Sequence, residues 1–123
     1  MAKTYKELEI YKESFDLFLK THRFTLKLPK HELYELGSQL RRSSDSINSN
    51  IVEGYGRNKY LKDFIRFLTF AYSSNNETLN HLKKLENLYP EFNIELTDLI
   101  KEYDKLGGKI YKFIEYVQSN WKT

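Results

Sequence analysis

Residues 36–57 read Leu-Gly-Ser-Gln-Leu-Arg-Arg-Ser-Ser-Asp-Ser-Ile-Asn-Ser-Asn-Ile-Val-Glu-Gly-Tyr-Gly-Arg, and their pattern admits one regular conformation. Leu36, Leu40, Ser44, Ile47 and Ile51 recur at the spacing of one face of an α-helix. A second stripe with the same spacing runs beside them: Gln39, Ser43, Ser46, Asn50 and Glu53. An amphipathic helix needs only the first stripe to seat against a core. The second asks for a polar neighbour, either a ligand or another helix.

Three more stretches carry the same period. Thr4 and Glu7 have capping-box spacing, and Pro29 stops what they begin, which predicts a helix over 5–28. That helix is apolar on two sides: Leu8, Tyr11, Phe15, Phe18, Leu19, His22 and Leu26 on one, Ile10, Leu17, Phe24 and Leu28 on the other. One side meets the neighbouring helices; the second is left for another chain or an exposed patch. The opening stretch gives a helix over 32–54, ended by Gly54-Tyr55-Gly56 in a left-handed turn. Gly37, early in it, signals either a close helix contact or an irregular first turn.

Asn58 is the expected N-cap of a helix over 59–88, whose stripe is Leu61, Phe64, Ile65, Leu68, Ala71, Tyr72, Asn75, Leu79 and Leu82, with Phe67 and Phe70 projecting elsewhere. Asn93 is the expected cap of the last, over 94–119, with Leu96, Leu99, Ile100, Tyr103, Leu106, Ile110, Ile114 and Val117 on one stripe. Gly107-Gly108 in its middle predicts close approach to a neighbour. Four such helices joined by short connections predict an all-α, up-and-down antiparallel four-helix bundle, a single domain over 1–123.

Charge and chemistry narrow the function classes. The net charge of +3 gathers in residues 36–66, where Arg41, Arg42, Arg57, Lys59, Lys62 and Arg66 face only Asp45, Glu53 and Asp63. Tyr55 and Tyr60 interleave with Arg57 and Lys59, a pairing of rings and cations that suits stacking on bases and contact with phosphates. Without Cys there is no disulfide and no thiolate site. The N-terminus runs into charge rather than an apolar segment and no run reaches membrane length, so a soluble cytoplasmic protein is expected.

A di-iron bundle needs Glu-x-x-His on two helices, and the chain contains no such motif. His22 reads as a hydrogen-bonded core histidine, and His81, four residues after Glu77, as half of a helix-surface pair. Glu53 and Glu77 read either as a paired acid–base site between the second and third helices or as members of a structural polar layer with Gln39, Ser46 and Asn50. Arg42 and Arg66 are their candidate partners. With no histidine beside the Ser43, Ser44, Ser46, Ser49 cluster and no phosphate loop, the layer is favoured. No catalytic residue, metal or cofactor is expected.

The ordered string Gln39-Leu40-Arg41-Arg42-Ser43-Ser44-x-Ser46-Ile47-x-Ser49-Asn50-Ile51-x-Glu53-Gly54, followed by Arg57, Phe64, Phe67, Leu68, Ala71, Ser74 and Glu77, resembles the signature of the four-helix bundle proteins named for 23S rRNA intervening sequences. The N-terminal Tyr-Lys-Glu-Leu-Glu-Ile-Tyr fits the same pattern. Asn48 stands where members usually carry Pro, and Leu79 where a second Glu is frequent. The resemblance implies a homopentamer around a central axis. It also implies kinship with the accessory variability determinant of diversity-generating retroelements, a basic pentamer that associates with nucleic acid and a reverse transcriptase. The expected function is therefore a non-enzymatic homo-oligomer that binds RNA or DNA through Arg41, Arg42, Tyr55, Arg57, Lys59, Tyr60, Lys62 and Arg66, with an adaptor for a protein partner as the alternative.

Overall fold

The computed structural model describes residues 3–122. Four long helices account for most of them: α1 (Glu9–Thr25), α3 (Leu36–Gly56), α4 (Leu61–Leu88) and α5 (Asn93–Asn120), with a single turn, α2 (Lys30–Leu33), between the first two. Contacts between distant residues fix their directions. Asn48 meets Ser14 while Arg41 meets Thr25; Ser43 meets Thr78 while Ser46 meets Ser74. Asn75 reaches Tyr103 while Glu86 reaches Thr97, and Lys109 pairs with Glu9 while Lys27 pairs with Glu95. Every adjacent pair runs antiparallel and α5 closes on α1, the expected up-and-down bundle.

The helix ends differ from expectation, each for a local reason. Instead of opening an α-helix at residue 5, Thr4 accepts from the Lys6 amide and Glu7 from the Lys3 amide, which closes a 3₁₀ turn over Tyr5–Glu7. Leu8 is then extended and drops its side chain into the core before α1 begins. The anticipated left-handed glycine stop is absent: no glycine among the described residues has positive φ, and α3 runs through Gly54 and Gly56. Gly54 is there for proximity, since a Cβ on it would lie 3.1 Å from Phe67 Cβ. Asn58 does not cap α4; its side-chain amide donates to the Tyr55 carbonyl and finishes α3. Likewise Asn93 is the first residue of α5, preceded by a 3₁₀ turn over Pro90–Phe92.

Gly37 resolves into both of its readings. A turn at Tyr34–Glu35 separates α2 from α3, and a Cβ at Gly37 would sit 2.7 Å from the Glu32 carbonyl oxygen and 3.3 Å from Arg41 Nη1. The missing side chain lets the α2 turn fold onto α3 and leaves room for a guanidinium. Gly107 serves in the same way, with Asn75 Nδ2 at 2.7 Å from where its Cβ would be, whereas Gly108 faces open space.

The core is layered as the stripes of α3, α4 and α5 require: Leu40, Ile47, Ile51, Phe64, Leu68, Leu82, Leu96 and Ile110 are fully buried. On α1 the shorter stripe points inward. Ile10, Leu17, Phe24 and Leu28 are buried, with Ser14, Thr21 and Thr25 completing that face. Thr21 is held by a 2.7 Å hydrogen bond to the Tyr103 hydroxyl, whose burial raises its pKa and keeps it neutral. Tyr11, Phe18 and Leu19 are half-buried, while Phe15, His22 and Leu26 are exposed. The two histidines thus exchange their expected places. His22 is a surface residue beside the Phe18 ring, and His81 is buried on α4 with neither ring nitrogen hydrogen-bonded.

Candidate nucleic-acid interface

The polar stripe of α3 faces α4, where a matching set of hydroxyls receives it. Asn50 donates to the Ser46 carbonyl and hydroxyl, and Ser46 shares a 2.8 Å hydrogen bond with Ser74. One turn earlier, Ser43 donates to the Leu40 carbonyl, and the Thr78 hydroxyl lies 2.8 Å from the Ser43 oxygen. Hydroxyls between helices satisfy one another without charge, so the layer fixes the register of α3 on α4 at little desolvation cost. Ser43, Ser46 and Asn50 belong to it. Of its α4 half, Ser74 belongs to the string that carries the family resemblance, while Thr78 carries no signal in the sequence beyond its four-residue spacing from Ser74, which mirrors that of the stripe opposite.

Gln39, Glu53 and Glu77 do not belong to it. Gln39 is exposed, and the side chains of Glu53 and Glu77 are 54% and 60% exposed, so neither carboxylate is a buried layer member. Arg42 and Arg66 are not their partners: Glu53 pairs with Arg57 at 3.1 Å, and Glu77 approaches His81 Nε2 at 3.7 Å, the i, i+4 pairing that the spacing of those two residues predicts. The helical spacing is correct, but the outer edge of the α3–α4 seam already faces solvent at those positions.

The basic residues divide into three groups. Arg41 is half-buried and points inward, donating to Thr25 Oγ1 at 2.8 Å and to the Leu33 carbonyl at 2.7 Å. It ties α1, the α2 turn and α3 together rather than facing outward. Arg57 and Arg66 are on the surface and engaged within the chain. Arg57 contacts Glu53 and Asp63 and lies over the Phe67 ring at 4.8 Å; Arg66 contacts Asp63 and lies over Phe67 at 5.1 Å and Phe70 at 6.0 Å. The third group, Arg42, Lys59 and Lys62, is exposed.

The two tyrosines separate as well. Tyr60 is 69% exposed and borders an open groove of about 670 Å³ that Glu53, Arg57 and Asp63 also line. Tyr55 is half-buried, edge-on to Phe64 and to Trp121, each at 6.2 Å. It belongs to an aromatic cluster at the end of the bundle, where the Trp121 indole N–H donates to the Asn58 carbonyl. Of the eight candidates, Arg42, Lys59, Tyr60 and Lys62 present outward side chains without an ion-pair or hydrogen-bond partner among the described residues, and Arg57 and Arg66 present groups that already have one. Among the described residues no set of His, Asp and Glu side chains is grouped to hold a metal ion. No described helix is long and apolar enough to cross a membrane.

The chain is thus a small antiparallel four-helix bundle with a hydroxyl-lined α3–α4 seam and a mixed cation–aromatic surface at one end. The chain matches the family model for the 23S rRNA-intervening sequence protein over residues 6–112, and it belongs to that family. A comparison with curated proteins finds no match.

Proposed function

We propose that this protein is a non-enzymatic, cytoplasmic homo-oligomer, a pentamer as the family resemblance implies, that binds RNA or DNA. The observation that carries the assembly is the apolar surface left over on helices whose other faces are fully used. Phe15 and Leu26 on and just after α1 are 43% and 62% exposed, and Phe70 on α4 is 45% exposed. Burial of such side chains against a second copy is favourable by about 25 cal/mol per Å² of apolar area. Light scattering after gel filtration tests it. A multiple of 14.8 kDa is the expected result, and a stable monomer at micromolar concentration would remove the assembly.

Nucleic-acid binding is supported by three exposed cations and an exposed ring, Arg42 on α3, Lys59 and Tyr60 in the turn after it and Lys62 at the start of α4, which symmetry would repeat around an oligomer. Titration with single-stranded RNA across a salt series measures it. The logarithm of the binding constant falls by about 0.7 per decade of salt for each phosphate contact. Replacing Arg42 or Lys62 by Gln is expected to weaken binding and reduce that slope; no binding at low salt would remove the reading.

One observation favours an adaptor for a protein partner instead. Arg57 and Arg66 are spent on Glu53, Asp63 and the rings of Phe67 and Phe70, a surface that mixes aromatic area with balanced charge. Aromatic and Arg side chains together are enriched where proteins contact proteins. Recovery of a stable protein partner free of nucleic acid would decide for it.

A further inference from the structure

Among the described residues, ion pairs between helices concentrate on the seam between α1 and α5, which carries Lys20–Glu102, Lys27–Glu95 and Lys109 with Glu9 and Glu13, against the single Arg57–Asp63 contact at the end of α3. Three cavities follow one another along it and share the side chains between them, Lys20, Glu102 and Lys105 at one junction and Lys109 at the next, so they form one groove. Its largest section, open to solvent, has a volume of about 560 Å³ over a floor of Phe24 and Leu99. Two ion pairs cross this section: Lys20 to Glu102 at 3.1 Å and Lys27 to Glu95 at 2.9 Å. Seven helical residues separate them, a compartment about 10 Å long.

The compartment carries unbalanced charge. With Glu95 and Glu102 committed to the crossing pairs, Arg23 from α1 and Lys101 and Lys105 from α5 remain, opposed by Asp98 in this section and, on the far side of Lys105, by Asp16 in the adjoining one. Among the described residues, no carboxylate lies within ion-pair distance of Arg23, Lys101 or Lys105. Like charges gathered on both walls of a narrow groove repel, and a bound anion would offset that repulsion. Arg23 supplies a planar donor fork suited to two oxygens of a phosphate, and the lysines supply point charges.

We infer that this compartment of the α1–α5 groove binds a compact polyphosphate, the di- or triphosphate group of a nucleotide or a free polyphosphate. The crossing ion pairs, both between exposed side chains, mark its two ends about 10 Å apart, a length that suits a short anion. The site is separate from the α3–α4 surface and does not rest on the function proposed for it.

Titration of the full chain with tripolyphosphate and with ATP at low salt, followed by amide correlation spectra, tests the site. Shifts confined to residues 20–27 and 95–105 are expected. Arg23→Gln combined with Lys105→Gln should weaken tripolyphosphate binding about tenfold, while Asp98→Asn, which removes the opposing charge, should tighten it several-fold. Lys59→Gln with Lys62→Gln should leave it within about twofold. Unchanged affinity in both the Arg23/Lys105 and Asp98 variants would overturn the site, as would shifts spread evenly over the lysines of the surface. Tripolyphosphate binding without ATP binding identifies free polyphosphate, and binding of both identifies the phosphate group wherever it is carried. A single-stranded oligonucleotide that lacks terminal phosphates and displaces tripolyphosphate from the same amides would overturn the compact ligand. Its failure to compete supports one, whether or not RNA binds elsewhere.

Discussion

Phe64→Ala is expected to lower the unfolding free energy by about 3–5 kcal/mol, a large part of the roughly 5–15 kcal/mol that holds a domain of this kind. The Phe64 ring is fully buried and meets Tyr55, Phe113 and Trp121 edge-on, with Trp121 at 5.0 Å. Gly54 lets α3 approach α4 to within contact at this point, so the backbone cannot collapse much further into the space left behind. Truncation should therefore leave a cavity as well as forfeit the transfer energy. Urea unfolding followed by circular dichroism measures the loss. The chain has one Trp, so the emission of Trp121 reports on the same cluster and should shift to the red in the folded variant. Tyr60→Ala, on the exposed surface beyond the end of α3, is the control and should stay within about 0.5 kcal/mol.

Arg41→Ala is expected to cost about 2–3 kcal/mol while leaving the salt dependence of RNA binding unchanged. The cost arises from two acceptors, Thr25 Oγ1 and the Leu33 carbonyl, that lose a charged donor in a half-buried place. Arg41→Lys should recover less than half of it, because one ammonium on a flexible stem does not reproduce a planar fork that spans two acceptors. Equilibrium unfolding gives the first quantity and a salt-series titration the second. A reduced slope in Arg41→Ala would return Arg41 to the phosphate-contacting surface. Its neighbour Arg42 provides the contrast, since it is exposed and its removal should act on binding and scarcely on stability.

Arg41 and Arg42 illustrate how far a pattern can be read. Adjacent on a helix, they point about 100° apart, and one helical step decides which of them enters the α1–α3 seam. Both carry the same charge among the same neighbours in the chain, and only packing supplies Arg41 with its acceptors, Thr25 Oγ1 from α1 and the Leu33 carbonyl from the α2 turn, brought close by Gly37. Glu53 and Glu77 follow the same logic at the rim of the α3–α4 seam. Periodicity places them beside the polar layer, but whether a position at the edge of a stripe is covered depends on how deeply the two helices interlock. On α1 the stripe with more and larger apolar residues lies outward, because Thr21 and Ser14 on the opposite face find hydrogen-bond partners in Tyr103 and Asn48. A polar residue with a partner is as good a core residue as an apolar one, and its partner is invisible in the local pattern.

The all-α class, the four long helices and their order were legible in the chain alone, because apolar spacing and the prolines act locally. The polar stripe of α3 was legible too, as an anomaly that needed a neighbour. Packing had to supply that neighbour: Ser74 and Thr78, brought opposite Ser46 and Ser43 by the antiparallel fold. Packing also settled that Arg57 and Arg66 near the α3–α4 turn are paired with Glu53 and Asp63, while among the described residues Arg23, Lys101 and Lys105 have no carboxylate within ion-pair distance. Charges from helices far apart in the chain sum only once the helices are packed, and composition cannot place them.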